Sequence, residues 1–314
     1  MNPAFSVILL TVLIGAGQGL FLALFVIEAV VAAGIAAAPS PGFYPTGSVL
    51  ALLLLAGGLL ASFFHLGHPE RAWRSAAMWR TSWLSREVIV LPAFMALVAA
   101  YGWAHWQGIS GTLLLGGAGV LLCLALFLCT GMIYACIKFL QEWASPLTLV
   151  NFTILGCASG VALAAALAGQ RGETFTACVV AWAIVLTVAG LLTRVISLQR
   201  NARLRPRSSL QTAIGIKHPK ITQKSQGFMG GSFNTREFFH GRSRGALRAV
   251  KWGFLAGAFV IPALLLTAAL AVPSPAPALL WLIFVVQLSG LIAERWFFFA
   301  QANHPQNLYY QAIS

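Results

Sequence analysis

Eight apolar runs, each long enough to cross a bilayer, fill most of this 314-residue chain. They lie at approximately 5–36, 46–66, 84–105, 111–140, 145–168, 174–197, 249–272 and 277–299. A spanning helix needs about 20 apolar residues. Within hydrocarbon every backbone N–H and C=O must bond inside its own segment, so these runs are expected to be helices. A transmembrane barrel would show alternating segments of about ten residues, and the chain has none. Charged residues make up 9% of the sequence, against about 25% in a soluble domain. The expected fold is all-α: a polytopic membrane helical bundle of eight transmembrane helices, one membrane domain over residues 1–314. "AAGIAAAPS" has the look of a signal-peptide cleavage site. Met1–Ala4 carries no Lys or Arg, however, and the first run is too long for a signal sequence, so it is read as a span.

An even number of spans puts both termini on one side. The termini and the loops after spans two, four and six share that side, which holds 19 of the 20 Lys and Arg; the other side holds only Arg171. Short basic loops stay in the cytoplasm, so both termini are expected there. Residues 198–248 form a long basic loop between spans six and seven. A flexible tether on anionic lipid is one reading of it. Nucleic-acid binding is disfavoured, because no stacking module is present. Docking of a soluble protein is preferred. Within "QGFMGGSFNTREFFHG", Phe228, Met229, Phe233, Phe238 and Phe239, with Arg236 among them, need an apolar surface to bury against.

The richest polar segment is "FFHLGHPERAWRSAAMWRTSWLSRE", Phe63 to Glu87, between spans two and three. Gly67 suits a left-handed stop to span two, and Pro69 can open a short helix. Ser82 or Ser85 can cap span three, with Glu87 in its first turn. His65 is placed on the last turn of span two. One reading is a belt of Trp and Arg anchoring helices at the headgroups. The other is a site for a polar-headed, lipid-tailed molecule, and a quinone fits. Its ring carbonyls need donors and its reduction consumes two protons, which a histidine and a partly buried glutamate can handle.

Other ionisable groups inside the spans are candidates for a proton path: Glu28 late in span one, and the neighbours Glu294 and Arg295 near the end of span eight. Adjacent helical residues point about 100° apart, so these two are expected to bond separate partners. The five cysteines form no C-x-x-C pair, so no metal site is expected in this chain. Haem is disfavoured, because His65 and His105 end their spans at opposite faces. A transporter with a midplane site is disfavoured too, since the polar groups gather at the faces.

"FFHLGHPERAWRS" followed by "SWLSREV" resembles the membrane anchor subunits of dimethyl sulfoxide reductase-type complexes, and the eight spans agree. The resemblance implies a multi-pass subunit of the bacterial cytoplasmic membrane. It implies two partners, a molybdopterin catalytic subunit and a four-cluster iron–sulfur subunit, which carry those cofactors while this chain exchanges electrons with ubiquinone or menaquinone. It assigns the quinone site to His65, with Gly67, Pro69, Arg71, Ala72 and Glu87 matching the same pattern; Ser85, beside Glu87, is grouped with them. Enteric-type members hold their partners in the periplasm. The charge count here faces the motif to the cytoplasm, and the long loop looks more like the sulfite-oxidising branch of the family. That branch implies electrons passing from cytoplasmic sulfite oxidation to quinone. A reductase anchor drawing electrons from quinol, or a purely structural anchor, are the alternatives.

Overall fold

A computed structural model of the chain describes residues 4–221 and 243–305. Its spans are α1 (Phe5–Ala32), α2 (Phe43–Phe63), α3 (Trp83–Gln107), α4 (Thr112–Ala135), α5 (Pro146–Arg171) and α6 (Thr176–Ala202). A five-residue helix, α7 (Leu210–Ile214), follows. The seventh span is broken into α8 (Arg244–Leu255) and α9 (Ile261–Leu270), and α10 (Pro277–Ala300) is the eighth. All eight helical spans are long and apolar enough to cross a membrane, which makes the chain a multi-pass membrane protein. The phenylalanines proposed for docking, Met229 and Arg236 lie outside the described residues.

The helices form two four-membered rings. In the first, α1 packs on α2, α2 on α3, α3 on α4, and α4 back on α1. In the second, α5 packs on α6, α6 on α9, α9 on α10, and α10 on α5. The rings meet chiefly where α1 lies along α5. These two helices are 72% buried over their most apolar windows, against 33–39% for the other six, so they form the centre. Lipid is as apolar as leucine, so close approach rather than hydrophobicity must hold them. Glycine allows it. A Cβ on Gly19 would sit 2.2 Å from the Gly156 carbonyl oxygen, and one on Gly160 would sit 2.1 Å from the Leu20 nitrogen.

The broken seventh span has a definite cause. Pro262 lacks the N–H that would bond the carbonyl of Ala258, four residues back. The backbone widens into a π-helical segment at Ala256–Val260. Gln287 of α10 then donates from Nε2 to the Ala258 carbonyl at 3.4 Å and to Thr187 Oγ1 at 2.9 Å. Gly290, one turn further along α10, leaves room for this approach, since a Cβ there would lie 2.2 Å from the Ala258 nitrogen.

α4 stops at Ala135, five residues short of the apolar run that contains it. The chain turns inward instead. Leu140 and Trp143 are buried, and the Trp143 indole donates to the Phe298 carbonyl at 3.1 Å. At its start α5 is capped by Ser145, whose Oγ accepts from the Leu147 N–H, with Pro146 in the first position.

Substituting Gly160→Leu forces a side chain into the α1 backbone. Overpacking of this kind costs about 1–3 kcal/mol or more. The expected result is a large fall in folded chain recovered from membranes, read as monodisperse protein by size-exclusion chromatography, while Gly117→Leu, at a site with open space around it, has little effect.

Candidate functional site

The polar loop sits at the end of the bundle formed by the C-terminus of α2 and the N-terminus of α3. α2 ends at Phe63, and the His65 N–H bonds the Ser62 carbonyl at 3.3 Å, so His65 is two residues past the helix rather than on its last turn. It is exposed. Partial desolvation at the helix end lowers its pKa from the ordinary histidine value. At neutral pH it is a neutral imidazole, with one N–H donor and one acceptor nitrogen.

Gly67 does not take the left-handed backbone expected of a helix stop; it is not among the positive-φ glycines, and a side chain there would meet open space. The stop comes instead from the turn at Phe63–Leu66 and the extended His68 (φ −137°, ψ 77°) ahead of Pro69. Pro69–Ala76 then forms a 3₁₀ helix with Glu70 in its first turn and Arg74 in its last. Glu70 accepts from His68 Nδ1 at 3.0 Å and lies 3.8 Å from Arg71 Nε, all three side chains being more than half exposed. Such exposed pairs contribute only about 0–1 kcal/mol.

Arg86 fastens the loop to α3. Its Nε donates to the Trp79 carbonyl at 2.9 Å and its Nη2 to the Arg80 carbonyl at 2.8 Å, while its guanidinium lies 4.3 Å over the Trp83 ring. Ser82 is the cap: its Oγ accepts from the Ser85 N–H. Ser85 itself is buried.

Glu87 falls in the second turn of α3, not the first, and points inward; it is 7% exposed. The Thr130 hydroxyl of α4 donates to its carboxylate. One turn on from Thr130, Tyr134 is within electrostatic range of both Glu87 and Arg295. Arg295 lies 3.6 Å over the Phe152 ring and 3.8 Å from Glu294. Glu294 makes its close bond elsewhere, at 2.6 Å to Arg194 Nε of α6, with both side chains 1% exposed. The adjacent pair on α10 thus does reach separate main partners. Arg194, Arg295 and Glu294 form one buried cluster at the His65 end of the bundle, and Glu87, bonded to Thr130, is buried at the same end.

Arg194 is the residue that sequence reasoning missed. It follows an unbroken apolar run and precedes the basic stretch from Arg200, so it reads as an ordinary flanking cation. Its position inside a span was the available signal. Arg200, two turns on, has a plainer task, donating to the Gln141 carbonyl at 3.1 Å and so holding the turn between α4 and α5. Glu142 in that turn has its pKa raised, desolvation being the main cause.

Glu28 is not part of this constellation. It lies near the end of α1, at the opposite end of the bundle, with Tyr101, His105 and Thr112 around its carboxylate. His65 and His105 are likewise at opposite ends.

Residues 1–310 match the family model "DMSO reductase anchor subunit (DmsC)". The chain is 53% identical over 327 aligned positions, covering all of both chains, to a subunit of the sulfite dehydrogenase of Allochromatium vinosum. The chain belongs to the DMSO reductase anchor subunit family.

Removing one partner of a buried ion pair strands the other and costs about 3–5 kcal/mol. Arg194→Met is therefore expected to lower the thermal unfolding midpoint of the purified protein far more than Arg200→Met, whose bonds are partly exposed. Equal effects would mean that the Arg194–Glu294 pair is not holding α6 to α10.

Proposed function

We propose that this family member anchors a molybdopterin and iron–sulfur oxidoreductase in the bacterial cytoplasmic membrane and passes electrons from cytoplasmic sulfite oxidation to quinone. The observation that carries the quinone reading is the pairing of an interfacial, neutral imidazole with a buried carboxyl at the same end of α2 and α3. The full-length likeness to a sulfite dehydrogenase subunit supports the choice of sulfite.

A quinone, when bound, supplies a two-electron, two-proton acceptor. The residues of this chain supply its place and its protons. His65 stands at the boundary of apolar helix and water, where a ring can enter from lipid, and offers an N–H to a carbonyl oxygen. Arg71, Gly67 and the 3₁₀ helix form the aqueous side of that place. Glu87, held by the Thr130 hydroxyl, is the inner proton-handling group. Ser85, two positions before it, belongs to the same buried turn of α3. Glu294 and Arg295 extend the polar set inward from Tyr134 and are the route by which protons approach Glu87 from the loop between α4 and α5.

Orientation follows from charge. The end carrying His65 also carries the long basic segment and nearly all the Lys and Arg, so it faces the cytoplasm. The iron–sulfur partner docks there, beside His65, with residues 198–248 as its docking arm. The chain binds lipid along its exposed leucines and tryptophans and no nucleic acid.

Two variants test the proposal in membranes holding the whole complex. His65→Ala is expected to lower sulfite-dependent quinone reduction at least tenfold, while sulfite oxidation by an artificial soluble acceptor and the subunit ratio stay unchanged. Unchanged quinone reduction would leave a purely structural anchor. Deleting residues 208–241 is expected to release the soluble subunits; full retention would remove the docking role of that arm.

A further inference from the structure

The end of the bundle opposite His65 holds a second cluster. Each helix of the first ring contributes to it. Glu28 comes from α1, Tyr44 from α2, Tyr101 and His105 from α3, and Thr112 from α4. The Tyr101 hydroxyl donates to Glu28 Oε2 at 2.7 Å and the Thr112 hydroxyl donates to Oε1. His105 Nε2 lies 3.3 Å from Oε1, and the Tyr44 ring stacks on the imidazole at 4.2 Å. Above them opens a cavity of about 450 Å³, walled by the α1–α2 and α3–α4 connections, with Glu28, Tyr44, His105 and Thr112 on its inner surface.

Both hydroxyls donate, which suits an ionised carboxylate. With a neutral imidazole the Glu28–His105 pair then carries one negative charge among apolar helices. One added proton makes the pair neutral, wherever between the two groups it rests. Among the described residues, the other formal charges at this end are Arg171 and Glu173. Arg171 is occupied by the Pro41 carbonyl and the Thr46 hydroxyl, and Glu173 accepts from Ser40. Neither contacts Glu28; they hold the lip of the cavity in place.

The pair is also closed off from the interior. Phe21 and Phe94, both fully buried, meet edge-on at 5.3 Å, and Phe21 meets Tyr101 at 5.4 Å. Glu87 lies fourteen residues back along α3 from Tyr101, roughly 21 Å at 1.5 Å per residue.

We infer that Glu28 and His105 form a binding site for one exchangeable proton, loaded through the cavity from the aqueous compartment opposite the His65 loop. The compartment is defined relative to that loop, so the inference does not rest on the quinone reading or on the absolute orientation. Protons bound at the Glu28 end are exchanged with that compartment, across the aromatic packing from the His65 end.

The test is infrared pH-difference spectroscopy on the intact complex in sealed, uniformly oriented vesicles, with the internal pH clamped by buffer. Glutamate carboxyl and histidine ring bands are expected to follow the pH on the face opposite His65. The carboxyl bands are lost from that signal in Glu28→Gln. His105→Gln, which keeps the Glu28–Tyr101 bond, is the second variant should Glu28→Gln fail to assemble; it should lose the histidine ring bands and keep the carboxyl bands. Three outcomes overturn the inference: no such bands in the unmodified complex, bands unchanged in the assembled variants, or bands that follow the pH on the His65 face.

Discussion

The contact between α1 and α5 is the constraint on which the remaining structure depends. Nothing in lipid pushes two apolar helices together, so they must gain by packing. Gly19, Gly156 and Gly160 bring the two backbones into direct contact, at a separation that no side chain would permit. Each helix then serves as the first member of a four-helix ring. The other six spans can present leucine and tryptophan outward, since burial is already concentrated at the centre.

On that scaffold the polar groups sort by depth and by end. Near the His65 end, the Arg194–Glu294 pair ties α6 to α10, Arg295 lies over Phe152 of α5, and Glu87 ties α3 to α4 through Thr130. At the other end Glu28 ties α1, α3 and α4. Between them the first ring is mostly sealed by aromatic and aliphatic side chains. A polar exception is Gln18, which donates to the Cys123 carbonyl at 2.9 Å, and in the second ring Gln287 repairs the gap left by Pro262. Most of these polar groups make their close bonds to a helix other than their own. Expensive groups are thus placed where they fix the pairing and register of neighbours, a use for which buried polar groups are well suited.

Much of this is legible in the sequence, for physical reasons that can be named. Span positions follow from hydrocarbon thickness, and all eight appear. The 3₁₀ helix at Pro69 and the cap at Ser82 follow from local chemistry, in which a residue's partner lies three or four positions away. What is not legible depends on distant partners. Arg194 and Glu294 are a hundred residues apart, and nothing local pairs them until α6 meets α10. Glu87 reads as a first-turn residue until the cap at Ser82 moves the helix start to Trp83. The left-handed role expected of Gly67 fails because composition alone cannot distinguish a helix stop from a loop glycine. The end of α4 is missed because Ile137, Leu140 and Trp143 are apolar in a turn that folds under the bundle, where hydropathy cannot tell it from a span.

The account stands on quinone meeting the chain at the end that carries His65, beside the buried Glu87. Its most direct test is photolabelling of the intact complex with an azidoquinone, followed by peptide mapping. The expected result is label within residues 63–87, displaced by excess unlabelled quinone. Displaceable label confined to other segments, with none between Phe63 and Glu87, would contradict it.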